Sequence, residues 1–309
     1  MRVSIAPMMD VTDRHFRYFM RLITRRTLLY TPMIHAIAVI RGNRDDLLGY
    51  DPCEQPLAIQ LGGGDPTTLA QAAHIAEDSG YGEVNLNVGC PSDRVQDGHF
   101  GACLMAEPER VAAAVAAMKS AVRIPVTVKH RVGIDDLDSY EHLSHFVATV
   151  AAAGCDRFIV HARKAWLKGL SPKENRTIPP LRYDEVYRLK RDFPHLTIVI
   201  NGGVKSIEEV KHHLQHVDGV MIGRLAEENP YALATVDSEI FGDTPIARTR
   251  SDIVADMQPY IDAWYELGLA PRTITRHLLG LYTGQPGARN WRKTLSEKRS
   301  NFFGDLPTL

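Results

Sequence analysis

The chain has 309 residues and a formal net charge of −1, with 44% hydrophobic and 24% charged residues, an ordinary composition for a water-soluble globular protein. No apolar run approaches the roughly 18 residues of a membrane span, and the apolar start of the chain is too short for a signal peptide, so we expect a cytoplasmic protein. The four cysteines contain no Cys-x-x-Cys pair, which excludes a disulfide scaffold and a zinc ribbon.

Short apolar runs alternate with helical patterns along the first 240 residues. The pattern predicts strands at residues 2–6, 28–31, 57–61, 83–88, 126–130, 158–161, 197–201 and 219–222. It predicts helices at residues 13–24, 66–78, 108–121, 139–153, 183–192, 207–214 and 230–239. Eight strands that alternate with helices, and whose apolar runs are typical of a parallel sheet, predict an α/β fold of the (β/α)₈ TIM-barrel type. The alternative is a doubly wound sheet, which usually has fewer strands and often a glycine-rich first turn, absent here.

The pattern changes after Gly242, where residues 243–245 read as a linker. Amphipathic helices are predicted at residues 251–268, 272–281 and 288–298. We therefore predict a catalytic barrel domain at residues 1–243 and a small all-helical domain at residues 244–309. Residues 272–299 contain seven Lys or Arg against one acid, a net charge of +6, which leaves −7 for the remainder. This asymmetry indicates a polyanionic partner at the helical end.

One cysteine is displayed at the end of a predicted strand. Residues 84–88 form an apolar strand that alternates with asparagines and stops at Gly89, and Pro91 fixes the following turn. Cys90 lies at the tip of this loop, which makes it a candidate for chemistry in a cytosolic chain. A small residue that only fills a tight turn fits this segment equally well.

Polar or special residues follow seven of the eight predicted strands, at the end of the barrel where such folds carry their active sites. They are Pro7, Met8, Met9, Gln60, Asn87 with Cys90, Lys129 with Arg131, His161 with Arg163, Asn201, Gly202, Gly203, Gly223 and Arg224. The glycine-rich turns and Arg224 suit a phosphate group. Lys129 needs an anionic or electron-rich partner, because burying its charge alone is costly.

A flavin meets these needs. It carries a phosphate, a polar ring edge that Gln60 can bind, and a ring region that becomes anionic on reduction, next to which a lysine is favourable. Residues 7–9 would supply an apolar wall for the ring.

These motifs resemble those of the dihydrouridine synthases, essentially from end to end. The stretch Asn-x-Asn-x-Gly-Cys-Pro at residues 85–91 is the most specific, and residues 93–96 and 169–176 resemble the bacterial A-type subfamily. The resemblance implies FMN as cofactor, NADPH as electron donor, and uridines 20 and 20a of the tRNA D-loop as substrate. It assigns FMN contacts to Pro7, Met8, Met9, Gln60, Lys129, His161, Asn201, Gly202, Gly203, Gly223 and Arg224. His130 departs from the expected small polar residue, while Lys129 and Arg131 on either side keep the pattern.

The same resemblance assigns Cys90 as the proton donor. Reduction of the uracil C5–C6 bond requires a hydride at C6, from N5 of the reduced flavin, and a proton at C5. An ordinary thiol is still protonated at neutral pH and can donate that proton. We expect Asn87 to orient the uracil, and the resemblance gives Lys173, Arg176, Arg289 and Arg292 a role in binding tRNA.

Two other functions are compatible with parts of the sequence. A flavin-dependent reductase of free pyrimidines shares the barrel and cofactor but leaves the basic C-terminal helices unexplained. An RNA-binding protein with a relict barrel leaves Cys90, Lys129 and His161 unexplained. We expect no metal site, no membrane contact and no stable protein partner.

Overall fold

The computed structural model describes residues 2–246 and 248–297. Within them lie eight strands: β1 Val3–Ile5, β2 Leu29–His35, β3 Leu57–Gly62, β4 Glu83–Val88, β5 Val126–Arg131, β6 Arg157–His161, β7 Thr197–Asn201 and β8 Gly219–Ile222. The α-helices of the first half are α1 Arg14–Ile23, α2 Ala36–Arg41, α3 Arg44–Leu48, α4 Pro66–Asp78, α5 Asp93–Asp97, α6 Pro108–Ala121 and α7 Tyr140–Ala152. Those of the second half are α8 Tyr183–Asp192, α9 Ile207–His213, α10 Arg224–Glu228, α11 Val236–Phe241, α12 Arg250–Glu266, α13 Arg272–Thr275 and α14 Ala288–Glu297.

All eight strands are parallel and pair in the order β1-β8-β7-β6-β5-β4-β3-β2. The two edge strands meet through Leu28, which bridges to Ser4. The Ile5 N–H donates to the Leu28 carbonyl at 2.9 Å, and the Leu28 N–H donates to the Val3 carbonyl at 3.2 Å. The predicted (β/α)₈ barrel is therefore confirmed, and the carboxyl ends of all eight strands lie around one mouth.

Helix α4 illustrates why the predicted bounds match. Asp65 caps the helix by accepting from the Thr68 N–H at 2.7 Å, and Pro66 occupies the first turn, where a missing N–H costs nothing. Leu69, Ala72 and Ala76 recur at helical spacing and are fully buried.

Three predicted elements differ from the structure by more than two residues at one end or in kind, and the others by at most two residues. The second strand runs on to His35 through Pro32, because the pairing of β2 with β3 slips between Tyr30 and Met33, where the missing proline N–H is tolerated. The helix predicted at residues 230–239 is wrong: a 3₁₀ turn at Pro230–Leu233 precedes the separate helix α11. The helix predicted at residues 272–281 is only α13, followed by a 3₁₀ turn at Arg276–Gly280.

The barrel interior contains a continuous chain of hydrogen-bonded polar side chains. Near the amino ends of the strands, Glu83 pairs with Arg157 and accepts from the hydroxyls of Tyr30 at 2.6 Å and Thr127 at 2.7 Å. The chain continues upward from Thr127 through Asn85 (2.8 Å), Gln60 (2.7 Å) and Asn87 (2.8 Å) to the mouth. This chain has seven residues, and all of them except Arg157 are buried. This chain leaves few of their polar groups unsatisfied and fixes their rotamers.

The C-terminal helices pack on α1. The Tyr18 and Tyr260 rings stack with centroids 3.8 Å apart, and His15 Nδ1 lies 2.9 Å from the Tyr260 hydroxyl. Asp13 caps α1 and pairs with Arg276 at 2.6 Å and with His277 at 3.0 Å. One buried apolar cluster includes residues of both the barrel and α12. The division into two domains at residue 243 stays a prediction.

Within the described residues, no helix is long and apolar enough to span a membrane.

Candidate active site at the barrel mouth

The loop that carries Cys90 (residues 89–92, the Cys90 loop) is fixed by Asn87. The side-chain carbonyl of Asn87 accepts from the backbone N–H groups of Gly89 at 3.1 Å and Cys90 at 3.0 Å. On the other side, the Cys90 carbonyl accepts from the Ala102 N–H at 2.9 Å. The Cys90 side chain is partly exposed, with its sulfur 3.6 Å from the Ser92 hydroxyl. Hydrogen bonds therefore fix the backbone of the Cys90 loop, while the thiol itself is partly exposed.

Residues alternate in direction along β5. His130 lies on the outer side of the strand, with its ring 5.0 Å from the ring of Phe146 on α7. Lys129 and Arg131 consequently belong to the inner side, at the mouth. The departure at His130 therefore lies in the layer between strand and helix, away from the site.

Lys129 is a cation without a counterion. Among the described residues, no hydrogen-bond or ion-pair partner of its ammonium group is found. Burial, and then the nearby charge of Arg131, lower the pKa of Lys129 to about 7, against 10.5 for an ordinary lysine. A group in this state gains from any ligand that places negative charge beside it.

His161 ends β6 in the middle of a cationic group. Burial, followed by the charges of Arg131, Lys129, Arg163 and Arg224, lowers the pKa of His161 well below its usual value, so the imidazole is neutral. In the described part of the chain, none of these four cations forms an ion pair with a carboxylate. The mouth thus holds an uncompensated positive charge, which favours an anionic ligand.

Glycines follow β7 where the backbone has positive φ and an added side chain would clash with neighbouring residues. Gly202 and Gly203 have φ of +114° and +77°, and a Cβ at Gly202 would lie 2.7 Å from the His161 ring. The Asn201 amide donates to the Met221 carbonyl at 2.8 Å, which ties the end of β7 to β8. Gly223 follows β8 and leads directly into the exposed Arg224. Glycine keeps the backbone here open to a ligand.

The residues after β1 form an apolar rim. Pro7 and Met8 are partly exposed, and the Met9 side chain is 55% exposed. The Met8 N–H donates to the Thr12 hydroxyl at 3.0 Å, which holds the loop on the start of α1. The Met8 sulfur lies 4.0 Å from the position a Cβ would take at Gly223, so this rim borders the glycine turns.

Gln60 is more constrained than the sequence indicated. Its side-chain carbonyl accepts from Asn87, and its amide donates to Asn85. One N–H of the Gln60 amide and one of the Asn87 amide are left for a ligand. Gln60 and Asn87 therefore each have a fixed rotamer and one side-chain amide N–H that can bind a ligand.

The predicted RNA-binding residues lie on two exposed elements. Lys173 and Arg176 are exposed on the loop after β6 (residues 162–182, the β6 loop), and the charge of Arg176 contributes to lowering the pKa of Arg131 at the mouth. Arg289 and Arg292 are exposed on α14, which buries Trp291 against the rest of the helical region. Lys298 and Arg299, which contribute to the predicted basic segment, lie outside the described residues.

Comparison with known proteins decides the family. The sequence model of the dihydrouridine synthase family matches residues 4–301. The chain belongs to the dihydrouridine synthase family. It is therefore an oxidoreductase by descent, as its motifs predict.

Family members with curated names are similar over nearly the whole chain. A protein of Synechocystis sp. named tRNA-dihydrouridine(20/20a) synthase is 61% identical over 96% of this chain and 88% of its own length. The protein of the same name from Vibrio parahaemolyticus is 61% identical over 96% of this chain and 91% of its own length. That from Escherichia coli K12 is 58% identical over 100% of this chain and 89% of its own length.

A solved structure supports the fold independently of the family. The complex of 2-naphthoyl-CoA reductase with 2-naphthoyl-CoA aligns with a TM-score of 0.57 at 11% identity. The alignment covers 76% of this chain and 49% of that protein.

Sequence reasoning left three residues of this family member without a role at the site. Arg131 is buried and donates to backbone carbonyls of two loops, Gln96 joins the same two loops, and Asn175 is fully buried within the β6 loop. The alternation Lys-His-Arg on β5 was the available signal for Arg131, since it places that side chain beside Lys129. Nothing in the sequence identifies the acceptors of Arg131 or Gln96.

Proposed function

We propose that this protein is an FMN-dependent, NADPH-using enzyme that reduces the C5–C6 bond of uridine to dihydrouridine in the D-loop of tRNA, at positions 20 and 20a. The names of the relatives support tRNA as the substrate and positions 20 and 20a as the sites of reduction. The single observation that supports the chemistry most is the cationic mouth around Cys90: four cations without a carboxylate, a neutral histidine and two glycine turns.

The residues present fit FMN. Lys129 lacks a partner and gains from an electron-rich ring edge, and the Gly202–Gly203 turn beside His161 has positive φ and no room for a side chain, so its backbone is bare. With Arg224 and Gly223, that turn is suited to the phosphate. Pro7, Met8 and Met9 supply an apolar wall, and Gln60, His161 and Asn201 supply polar contacts. When bound here and reduced by NADPH, FMN would be the hydride source for C6 of the uracil.

Cys90 supplies the proton to C5. The Asn87 carbonyl holds the backbone on which the thiol stands, and the remaining N–H of Asn87 is available to a uracil carbonyl. The hydride brings the electron pair of the new C6–H bond, and the electron pair of the C5–C6 π bond takes the proton from Cys90 to form the C5–H bond. The resulting Cys90 thiolate is reprotonated from solvent. Within the described residues, no other thiol stands at a strand end of the mouth.

The tRNA is bound outside the barrel. A uridine has to leave its stack to reach the mouth, as base-modifying enzymes generally require. Lys173 and Arg176 on the β6 loop and Arg289 and Arg292 on α14 are exposed and suited to phosphate contacts.

Anaerobic flavin absorbance tests the proposal. The purified protein is reduced with NADPH, and unmodified tRNA or free uridine is then added. Reoxidation by tRNA alone is expected. Reoxidation by a free pyrimidine at a comparable rate would instead identify a small-molecule reductase, and a protein that binds no flavin would leave an RNA-binding function.

A further inference from the structure

The Cys90 loop and the β6 loop are joined by one buried guanidinium. Arg131 Nε donates to the Gly89 carbonyl at 2.9 Å, and its Nη1 donates to the carbonyls of Lys164 at 2.9 Å and Asn175 at 3.0 Å. The residue is only 3% exposed. Its three acceptors lie in two segments that are separated along the chain and share no strand.

Gln96 joins the same two loops from the other side. Its amide nitrogen donates to the Pro91 carbonyl and to the Leu167 carbonyl, both at 2.8 Å. Pro91 follows Cys90 directly, and Leu167 lies in the β6 loop. Two independent side chains therefore bridge the loop that carries the thiol to the loop that carries Lys173 and Arg176.

Hydrogen bonds of one buried side chain hold the β6 loop together internally. Asn175 is fully buried, accepts from the Trp166 N–H at 2.8 Å, and donates to the carbonyls of Trp166 at 2.9 Å and Leu170 at 3.1 Å. Arg131 binds the backbone of this same Asn175. Lys173 and Arg176 therefore lie within two residues of the backbone carbonyl that Arg131 binds.

We propose that Arg131, supported by Gln96, is a positioning residue that couples the RNA-facing β6 loop to the Cys90 loop. When Lys173 and Arg176 hold the tRNA, this coupling keeps the Cys90 thiol in the position from which it reaches the uridine. This inference rests on the proposed function for its catalytic consequence. The coupling of the two loops does not depend on that function.

A charged donor with three fixed acceptors is a specific requirement. Lysine at position 131 would keep the positive charge beside Lys129 and His161 but has no planar fork with which to reach both loops. Methionine at position 96 would keep the length of glutamine and remove both donors. These substitutions separate the loss of hydrogen bonds from the loss of charge or bulk.

Arg163 provides the matched control. It is also a buried arginine at a strand end, and its Nη1 donates to the Thr177 carbonyl at 3.3 Å and to the Pro179 carbonyl. Both acceptors lie in the β6 loop, and no hydrogen bond of Arg163 reaches the Cys90 loop in the described structure. Arg163→Lys therefore removes hydrogen bonds to the β6 loop and leaves the bridge made by Arg131 and Gln96 intact.

The test combines kinetics with thiol labelling. In Arg131→Lys, we expect flavin reduction by NADPH to stay within about twofold, and flavin reoxidation by saturating tRNA to slow by on the order of 100-fold, the cost of a displaced reacting group. We expect iodoacetamide to alkylate Cys90 several times faster in this variant than in the unaltered enzyme. Mass spectrometry of the peptide that contains Cys90 measures this rate. Gln96→Met is expected to change both quantities in the same direction.

Arg163→Lys is expected to leave the alkylation rate of Cys90 unchanged. If Arg131→Lys does not fold, Gln96→Met alone decides the question. Unchanged Cys90 alkylation and unchanged reoxidation in the folded bridge variants overturn the inference. Because alkylation needs neither NADPH nor RNA, it tests the bridge even if the unaltered enzyme fails to reduce tRNA, which would overturn the proposed function instead.

Discussion

The side-chain carbonyl of Asn87 accepts a hydrogen bond of 3.0 Å from the backbone N–H of Cys90. This bond makes an asparagine at the end of β4 responsible for the conformation of the next loop. The same side chain donates to Gln60, so the position of Cys90 is tied to the polar interior of the barrel.

Asn87→Ala is expected to slow dihydrouridine formation by about 10- to 100-fold, because two backbone N–H groups lose their acceptor and the thiol loses its fixed position. Reduction of the bound flavin by NADPH is expected to slow much less, since Gln60 is the one proposed cofactor residue that loses a hydrogen bond to Asn87. Stopped-flow absorbance of the two half-reactions measures both quantities. Equal slowing of both half-reactions would contradict a role specific to the Cys90 loop.

Cys90→Ala is expected to keep FMN and its reduction by NADPH, and to lose dihydrouridine formation by at least about 100-fold, the usual contribution of a positioned acid. Dihydrouridine in the tRNA is measured by mass spectrometry of nucleosides. Cys53→Ala is the control, because Cys53 is an exposed thiol in the turn before β3, at the amino end of the barrel strands. Rates like those of the unaltered enzyme in Cys90→Ala would remove Cys90 from the mechanism.

The affinity for FMN is expected to fall as the pH rises above about 7. Lys129 has a pKa of about 7 in the free protein, and a negatively charged ligand raises that pKa. Below pH 7 the ammonium is already present, whereas above it each binding event takes up a proton, which weakens binding by up to about tenfold per pH unit until the pKa of the complex is reached.

Fluorescence of released flavin measures this dissociation constant from pH 6 to 9. In Lys129→Met the affinity is expected to be lower at pH 6 and to vary less with pH, since the proton uptake is gone. The same slope in both proteins would assign the pH dependence to another group.

The pair Arg289→Ala and Arg292→Ala is expected to weaken tRNA binding and to reduce the salt dependence of the binding constant by about one unit of slope for each lost phosphate contact. Filter binding at several salt concentrations measures both. Arg123→Ala with Arg191→Ala is the matched control, because these exposed arginines lie at the amino ends of the strands, opposite the mouth. An unchanged affinity and slope in the α14 variant would exclude this face from RNA binding.

Glu83→Gln is expected to lower the free energy of unfolding by about 2–3 kcal/mol, because Arg157 loses its charged partner and Tyr30 and Thr127 lose a strong acceptor. Urea unfolding followed by circular dichroism measures the change. Glu266→Gln removes an exposed carboxylate at the end of α12 and is expected to change stability by less than about 0.5 kcal/mol. A similar small effect at Glu83 would mean that the interior chain contributes little.

Much of the barrel follows from local signals. Helices α4 and α6 begin at a proline in their first turn, and strands β4, β7 and β8 are bounded by residues that the hydrophobic pattern marks well. The predicted second strand ends at residue 31, whereas β2 continues through Pro32 to His35, and only the slipped pairing with β3 accounts for a proline inside this strand.

The site divides in the same way. Cys90, Lys129 and His161 are predictable because each lies at or near the end of a strand, and a barrel brings strand ends together. The bridge made by Arg131 is not predictable, because its acceptors are backbone carbonyls 42, 33 and 44 residues away, and every residue has such a carbonyl. The mutual bond of Gln60 and Asn87 has no sequence signal either, since it depends on the register of β3 against β4.

Asp13 stands at the start of α1, immediately after the apolar rim, and its carboxylate serves both the helix cap and the pair Arg276 and His277. A chain ended after residue 243 would expose the Tyr18 ring and leave this carboxylate in water, so the isolated barrel should be a poorer catalyst even toward substrates that need no RNA contact. Chimeras between relatives should likewise exchange α1 together with the C-terminal helices, because α1 and these helices pack against each other.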